Sequence, residues 1–212
     1  MARQALGLRE PRWVTEGEIM NVDRLAHFTG PRNGFSARFT TRESVPDLYG
    51  RLEDLLDDVV RPQGFVYKDV IQPFVVSDWL LRAPVRVLKI ERRVADVAYA
   101  MANRGWDYPA AVASPGRSGD AALVEGLLRA RQALAAVPGA TVDYDDLVTS
   151  EDALAAAFAR LYPDAPAPTV RYRNDVFEHE RRRQFARRGV PRYKALATLV
   201  EEVGAGLVTT SR

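Results

Sequence analysis

Three residues that could transfer an anionic group follow three segments that the sequence predicts as short strands. They are Glu16 or Glu18, Lys68 and Arg92, and each lies at the end of its predicted strand. The carboxyl ends of parallel strands share one sheet edge, and ligands of such sheets bind there. A carboxylate can take a proton from a hydroxyl, a lysine can neutralise charge on a leaving oxygen, and an arginine can hold a phosphate. These residue types therefore predict transfer of an anionic group to a hydroxyl acceptor.

The arginine lies in the most informative stretch, residues 85–101 (VRVLKIERRVADVAYAM). β-favouring apolar residues lead into a charged corner, which is followed by a helix-compatible segment. A helix start offers unpaired N–H groups and a positive dipole end, and Arg92 adds forked donors. The stretch therefore predicts an anion site. The alternative is an ordinary strand, turn and helix with solvated arginines.

Short apolar segments alternate with longer amphipathic ones along the chain. Strands are predicted at residues 12–15, 65–68, 85–90 and 140–144. Helices are predicted at residues 44–60, 73–82, 94–104, 121–137, 151–161, 174–187 and 191–203. This alternation indicates an α/β fold with a mainly parallel sheet flanked by helices. We expect one domain over residues 1–212, with a basic helical segment at 171–212.

Composition narrows the classes of function. The chain has 212 residues, a formal net charge of +2 and no cysteine, so disulfides, thiolate chemistry and cysteine zinc sites are excluded. Its two histidines, His27 and His179, have no metal-ligand spacing, and we predict no metal site. No apolar run approaches the roughly 20 residues of a membrane helix, and no signal peptide is recognisable. We therefore expect a cytoplasmic protein without a membrane partner.

Residues 92–100 (RRVADVAYA) align with a pattern of the form R-[DN]-P-[RK]-D-V-A-x-S. In this pattern the chain resembles the sulfotransferases that use 3'-phosphoadenosine 5'-phosphosulfate. The arginine and the D-V-A core match. Val94 replaces the proline, and Ala100 replaces the serine that would also hold the 3'-phosphate.

Further segments resemble the same family in the family's order. Residues 17–18 (GE) and 67–69 (YKD) resemble its base and lysine elements, and 142–148 (VDYDDLV) resembles its Y-E-D-L-V strand end. Residues 185–189 (FARRG) resemble its F-x-R-K-G motif. The resemblance implies that Glu18 is the base and Lys68 stabilises the leaving group. It implies that the 3'-phosphate is bound by Arg92, Arg187, Arg188 and Gly189.

The resemblance implies a P-loop-like, sulfotransferase-like three-layer sandwich that lacks its first strand and the loop binding the phosphosulfate. Residues 114–120 (SPGRSGD) are similar to that loop, but they lie where the family has an acceptor-side loop, and we interpret them as a polar turn.

The implied activity is sulfate transfer from 3'-phosphoadenosine 5'-phosphosulfate to a small-molecule, glycan or peptide hydroxyl, without a metal. Two alternatives stay open: a non-catalytic member of the fold that binds a nucleotide or a partner protein, and a module whose C-terminal arginines bind polyanions. Nucleic acid is not an expected partner, and a homo-oligomer is left open. The acceptor is not encoded in a recognisable motif.

Overall fold

The computed structural model describes residues 39–43, 46–60, 73–164 and 174–210. Its elements are, in chain order, α1 (Pro46–Val60), α2 (Pro73–Leu80), β1 (Leu88–Glu91), α3 (Val94–Ala102), the 3-10 helix η1 (Tyr108–Val112), α4 (Gly119–Ala136), β2 (Ala140–Asp143), α5 (Tyr144–Leu147), α6 (Glu151–Leu161), α7 (Asn174–Arg188) and α8 (Pro191–Thr210). No described helix combines the length and the apolar character that crossing a membrane requires.

The described residues form an α/β structure that is mostly helical. β1 and β2 pair in parallel as a two-stranded sheet, and the chain between them carries α3, η1 and α4. The wider, mainly parallel sheet of a three-layer sandwich is not seen in this part of the chain. The predicted strands at residues 12–15 and 65–68 lie outside the described residues.

Two compact units account for the described residues. One comprises residues 86–128, 138–164 and 174–210, and contains both strands. The other comprises residues 39–43, 46–60, 73–85 and 129–137. The prediction of a single domain concerns residues 1–212 as a whole and stays a prediction.

The first unit buries one face each of α3, α4 and α8. Its core cluster consists of Ala98, Met101, Leu123, Val124, Leu196 and Val203. α6 packs on β2, where Leu154, Ala157 and Phe158 are buried. Because burial of apolar area is the main stabilising term in folding, these contacts fix the sheet and α3 in place.

The second unit pairs α1 with α2. Its core cluster consists of Tyr49, Leu52, Leu56, Val75, Val76 and Trp79. The three residues from α1 recur at spacings of three and four, as expected for one buried helix stripe. The Tyr49 hydroxyl donates to Asp78 at 2.9 Å, and the indole N–H of Trp79 donates to Asp57 at 2.9 Å, so each buried aromatic has a polar partner.

Most predicted helices are present with shifted ends. α6 has its predicted bounds, and its first turn is capped by the Ser150 hydroxyl, which accepts from the N–H of Asp152. α3 is followed by Gly105, whose φ of 66° suits the chain reversal after a helix. α8 continues to Thr210, beyond the predicted end at 203.

The strands are shorter than predicted. β1 begins at Leu88 rather than at residue 85. β2 ends at Asp143, because the Asp143 side chain accepts from the N–H of Asp145 and begins α5. Tyr144, predicted as the last strand residue, is therefore the first residue of a helical turn.

Candidate functional site

Register brings the ends of the two strands together. Glu91 of β1 is opposite Asp143 of β2, so the residues that follow them leave the sheet side by side. The guanidinium carbon of Arg92 lies 4.7 Å from the centroid of the Tyr144 ring, within the range of a cation–π contact. One residue further, Arg93 Nε donates to Asp145 Oδ2 at 3.0 Å. The carboxyl edge of the sheet thus carries two arginines.

Arg92 is held by neutral groups. Tyr144 lies against its guanidinium, and Gln184 of α7 is a hydrogen-bond partner. In the amide orientation that satisfies both of its polar atoms, Gln184 accepts from Arg92 Nη2 at 3.0 Å and donates to Asp145 Oδ1 at 3.2 Å. The Nε of Arg92 is buried without a hydrogen-bond partner. Among the described residues no carboxylate forms an ion pair with Arg92.

Arg188, at the end of α7, pairs with two carboxylates through its Nε and Nη2 atoms. It makes a forked pair with Asp96, through Nη2 at 2.7 Å and Nε at 3.3 Å. Its Nη2 also lies 2.8 and 2.9 Å from the two carboxylate oxygens of Asp145. The exposed fractions of the side chains are 15% for Arg188, 3% for Asp96 and 25% for Asp145. We call these three residues the Arg188 triad.

Electrostatics within the Arg188 triad favours the charged forms. The hydrogen bond to Asp96 raises the pKa of Arg188 further above its ordinary value. Burial acts to raise the pKa of the Asp145 carboxyl, but hydrogen bonds and charge pairing with Arg188 and Arg93 outweigh it and hold that pKa below its usual value. Asp96 lies in the first turn of α3, where the helix dipole also favours a negative charge.

Two tyrosines border the group. Burial raises the pKa of Tyr193, and its hydrogen bond with Asp96 adds to the effect. Burial also raises the pKa of Tyr144, against the opposing charge of Arg92. Both phenols are therefore neutral at physiological pH, and they act as aromatic surfaces and hydrogen-bond partners rather than as phenolates.

α7 turns a polar face inward. Gln184 and Arg188 are four residues apart and therefore lie on one helix face. The Gln184 residue is 2% exposed, whereas its neighbour Phe185 is 60% exposed. Only hydrogen-bond partners make burial of the glutamine favourable, since an unpaired amide would be costly. The partners at the sheet edge thus set the rotation of this helix.

The predicted site residues are distributed as follows. Arg92 and Arg188 are linked indirectly, because Gln184 contacts both Arg92 and Asp145, and Asp145 pairs with Arg188. Arg187 is half-buried and makes no side-chain hydrogen bond or ion pair with the described residues. A Cβ added to Gly189 would meet only one backbone oxygen, at 3.6 Å, so nothing in this part of the chain requires glycine there. Glu18 and Lys68 lie outside the described residues.

The segment that is similar to a phosphosulfate loop holds a carboxylate of the chain itself. Ser114 donates through its N–H at 3.0 Å and its hydroxyl at 2.7 Å to Oε1 of Glu125. Arg117 Nε lies 2.5 Å from Glu125 Oε2. Glu125 belongs to α4 and is completely buried. The interpretation of residues 114–120 as a turn, rather than a ligand loop, fits this arrangement.

Sequence reasoning missed Gln184 entirely and treated residues 142–148 only as a strand end. The signal for Asp145 was incomplete: aligning the ends of the two predicted strands, residues 90 and 144, would have set Asp145 beside Glu91, whereas the observed register of Glu91 with Asp143 sets it beside Arg93. For Gln184 there was none, because its burial depends on partners that follow β1 and β2 and are distant from it in the sequence. α7 has few apolar residues from which an inward face could be predicted.

No group of three or more metal-binding side chains lies together in the described ranges. Comparisons with protein families, with curated proteins and with solved structures find no match to this chain.

Proposed function

We propose that the chain is a sulfotransferase-like protein that binds the 3'-phosphate of a phosphorylated adenosine at the carboxyl edge of its parallel sheet. One observation carries the proposal. Arg92 directly follows β1, and of the three guanidiniums at this edge it is the one that no carboxylate neutralises among the described residues. The same residue fills the phosphate-binding position of the sulfotransferase pattern.

The local chemistry suits an anion. An unpaired buried donor costs about 1–3 kcal/mol, so a ligand oxygen that reaches Arg92 Nε would relieve a cost already present in the fold. Arg93 is 61% exposed and shares its edge with Arg92. Ala100 offers no hydroxyl, and binding therefore depends on the guanidiniums.

The remaining roles complete the proposal. When bound, 3'-phosphoadenosine 5'-phosphosulfate supplies the sulfate that is transferred. Glu18 accepts the proton of the acceptor hydroxyl, and Lys68 neutralises the charge left on the phosphate oxygen. Arg187 and Gly189 add contacts to the nucleotide. Arg188 supports the site through Asp96 and Asp145, since those carboxylates already accept from its Nε and Nη2.

Calorimetric titration with adenosine 3',5'-bisphosphate tests the proposal. We expect saturable binding by the wild type. Arg92→Met should weaken it roughly 10- to 100-fold, the loss expected when a hydrogen-bonded charge is removed. Arg182→Met is the matched control, because Arg182 is 77% exposed and pairs with Glu178 on the same helix. The proposal fails if the wild type does not bind, or if Arg92→Met binds as the wild type does.

A non-catalytic member of the same fold is the second candidate. It is favoured by Ala100 and by the engagement of Arg188 with two carboxylates, which together reduce the donors left for a ligand. Saturable nucleotide binding without sulfate transfer to any of a panel of hydroxyl acceptors would favour this candidate.

A polyanion-binding module is less well supported by the contacts of α7. Arg182 pairs with Glu178, and Arg183 pairs with Glu180, so part of the basic charge of the helix is neutralised within it. Binding that ignores the adenine and falls steeply with salt would nevertheless identify this class.

A further inference from the structure

Gln184 occupies an unusual position for a polar residue without charge. It is 2% exposed and stands between two charged groups of opposite sign. In the amide orientation that satisfies both of its polar atoms, it accepts from Arg92 at 3.0 Å and donates to Asp145 at 3.2 Å. A buried amide with both ends satisfied is a rigid connector, because moving either neighbour would leave a buried polar atom unpaired.

The connector fixes one side of the Arg92 guanidinium. Tyr144 lies 4.7 Å from its guanidinium carbon and restricts a second side. Asp145, to which Gln184 is joined, is itself held by Arg188 and Arg93. The chain of contacts therefore runs from α7 through a neutral amide to the arginine at the end of β1.

A neutral connector has a consequence that a carboxylate would not have. It orients Arg92 while leaving the positive charge of the guanidinium available to a ligand. Asp145, by contrast, directs its charge at Arg93 and Arg188. Two kinds of group therefore act at this edge. Carboxylates pair with Arg93 and Arg188, and the amide of Gln184 orients Arg92 without neutralising its charge.

We infer that Gln184 is a positioning residue that sets the guanidinium of Arg92 for recognition of a 3'-phosphate on adenosine. This inference rests on the proposed function. Gln184 acts through Arg92 and does not itself touch the nucleotide. Loss of its amide should therefore reduce discrimination between nucleotides that have and lack the 3'-phosphate.

The test compares two ligands, adenosine 3',5'-bisphosphate and adenosine 5'-monophosphate, by calorimetry. The ratio of their dissociation constants measures the contribution of the 3'-phosphate. If a variant is partly unfolded, both constants rise by the same factor, so the ratio is unaffected. A merely structural role of Gln184 would lower stability without moving this ratio.

We expect Gln184→Met to reduce the ratio about tenfold, as for loss of one hydrogen bond that orients a charged group. Arg92→Met should bring the ratio close to unity. Gln132→Met, at an exposed glutamine of α4, should leave it unchanged. In the double variant Gln184→Met with Arg92→Met, the ratio should equal that of Arg92→Met alone, since the amide acts only through the arginine.

The two proposals fail in different ways. A ratio that collapses in Arg92→Met but stays within twofold of the wild type in Gln184→Met overturns the role of Gln184 and leaves the proposed function standing. Absence of wild-type binding, or a wild-type ratio near unity, overturns the proposed function and the inference with it.

Discussion

Replacing Arg188 by methionine should destabilise the protein strongly, because it leaves Asp96 buried without its counter-charge. The Asp96 side chain is 3% exposed and receives two hydrogen bonds from Arg188. Removing one partner of a buried ion pair typically costs about 3–5 kcal/mol. We expect a loss at the lower end of this range, about 3 kcal/mol, because Asp145 is partly exposed and water can hydrate it once Arg188 is removed. For a chain of this size that loss corresponds to a decrease in Tm of roughly 6–12 °C.

The Tm is measured by monitoring thermal unfolding with circular dichroism. A second substitution tests whether the unpaired charge of Asp96 causes the loss of stability. Asp96→Asn combined with Arg188→Met should be more stable than Arg188→Met alone, because the uncompensated charge has been removed. Arg182→Met, from an exposed pair on the same helix, should change Tm by less than about 2 °C. The reasoning would be refuted if Arg188→Met had the same Tm as Arg182→Met. It would also be refuted if the double variant had a lower Tm than Arg188→Met alone.

Three further predictions concern two glycines, the Asp145 carboxylate and the Tyr49 hydroxyl. Gly126→Ala should destabilise by about 1–3 kcal/mol because a Cβ there would lie 1.8 Å from a carbonyl oxygen of η1, whereas Gly50→Ala, with nothing within 4 Å, should stabilise by up to about 1 kcal/mol. Urea midpoints measure both, and equal shifts would contradict the packing argument. The pKa of Asp145 is lowered by folding, so its stabilisation is present above the ordinary aspartate pKa of about 3.9 and is lost as the pH falls through the folded value. Tm measured from pH 2 to 7 should therefore fall less steeply below about pH 4 in Asp145→Asn, and parallel curves would disprove this. Tyr49→Phe should cost about 0.5–1.5 kcal/mol because the buried hydroxyl donates to Asp78, and unchanged unfolding in urea would argue against that bond.

Local signals were sufficient for most helices. The serine before α6, the glycine after α3 and the apolar stripe of α1 are each encoded within a few residues, so a short stretch of sequence is enough to indicate these helices. The ends of the strands were predicted less accurately. Asp143 begins a helical turn with its own side chain, and this local hydrogen bond competes with extension of β2 through Tyr144.

The candidate site was predictable only in part, because its partners are far apart in the chain. Arg92 could be singled out as the residue that follows a strand at a ligand-binding edge. That Arg188 contacts Asp96, 92 residues away, and Asp145, 43 residues away, depends on how α7 packs. Gln184 is polar but faces the interior, and so a pattern of hydrophobic residues could not have predicted its burial.

Basic motifs in a sequence do not state which anion they bind. Residues 114–117 use a backbone N–H, a hydroxyl and a guanidinium to hold the carboxylate of Glu125, the same donor types that would hold a phosphate. Arg188 likewise binds Asp96 and Asp145. A ligand that recruited either group would first have to separate an ion pair whose carboxylate is buried, at a cost of several kcal/mol. Arg92 carries no such cost among the described residues, and for that reason it is the arginine at which a nucleotide phosphate should be sought.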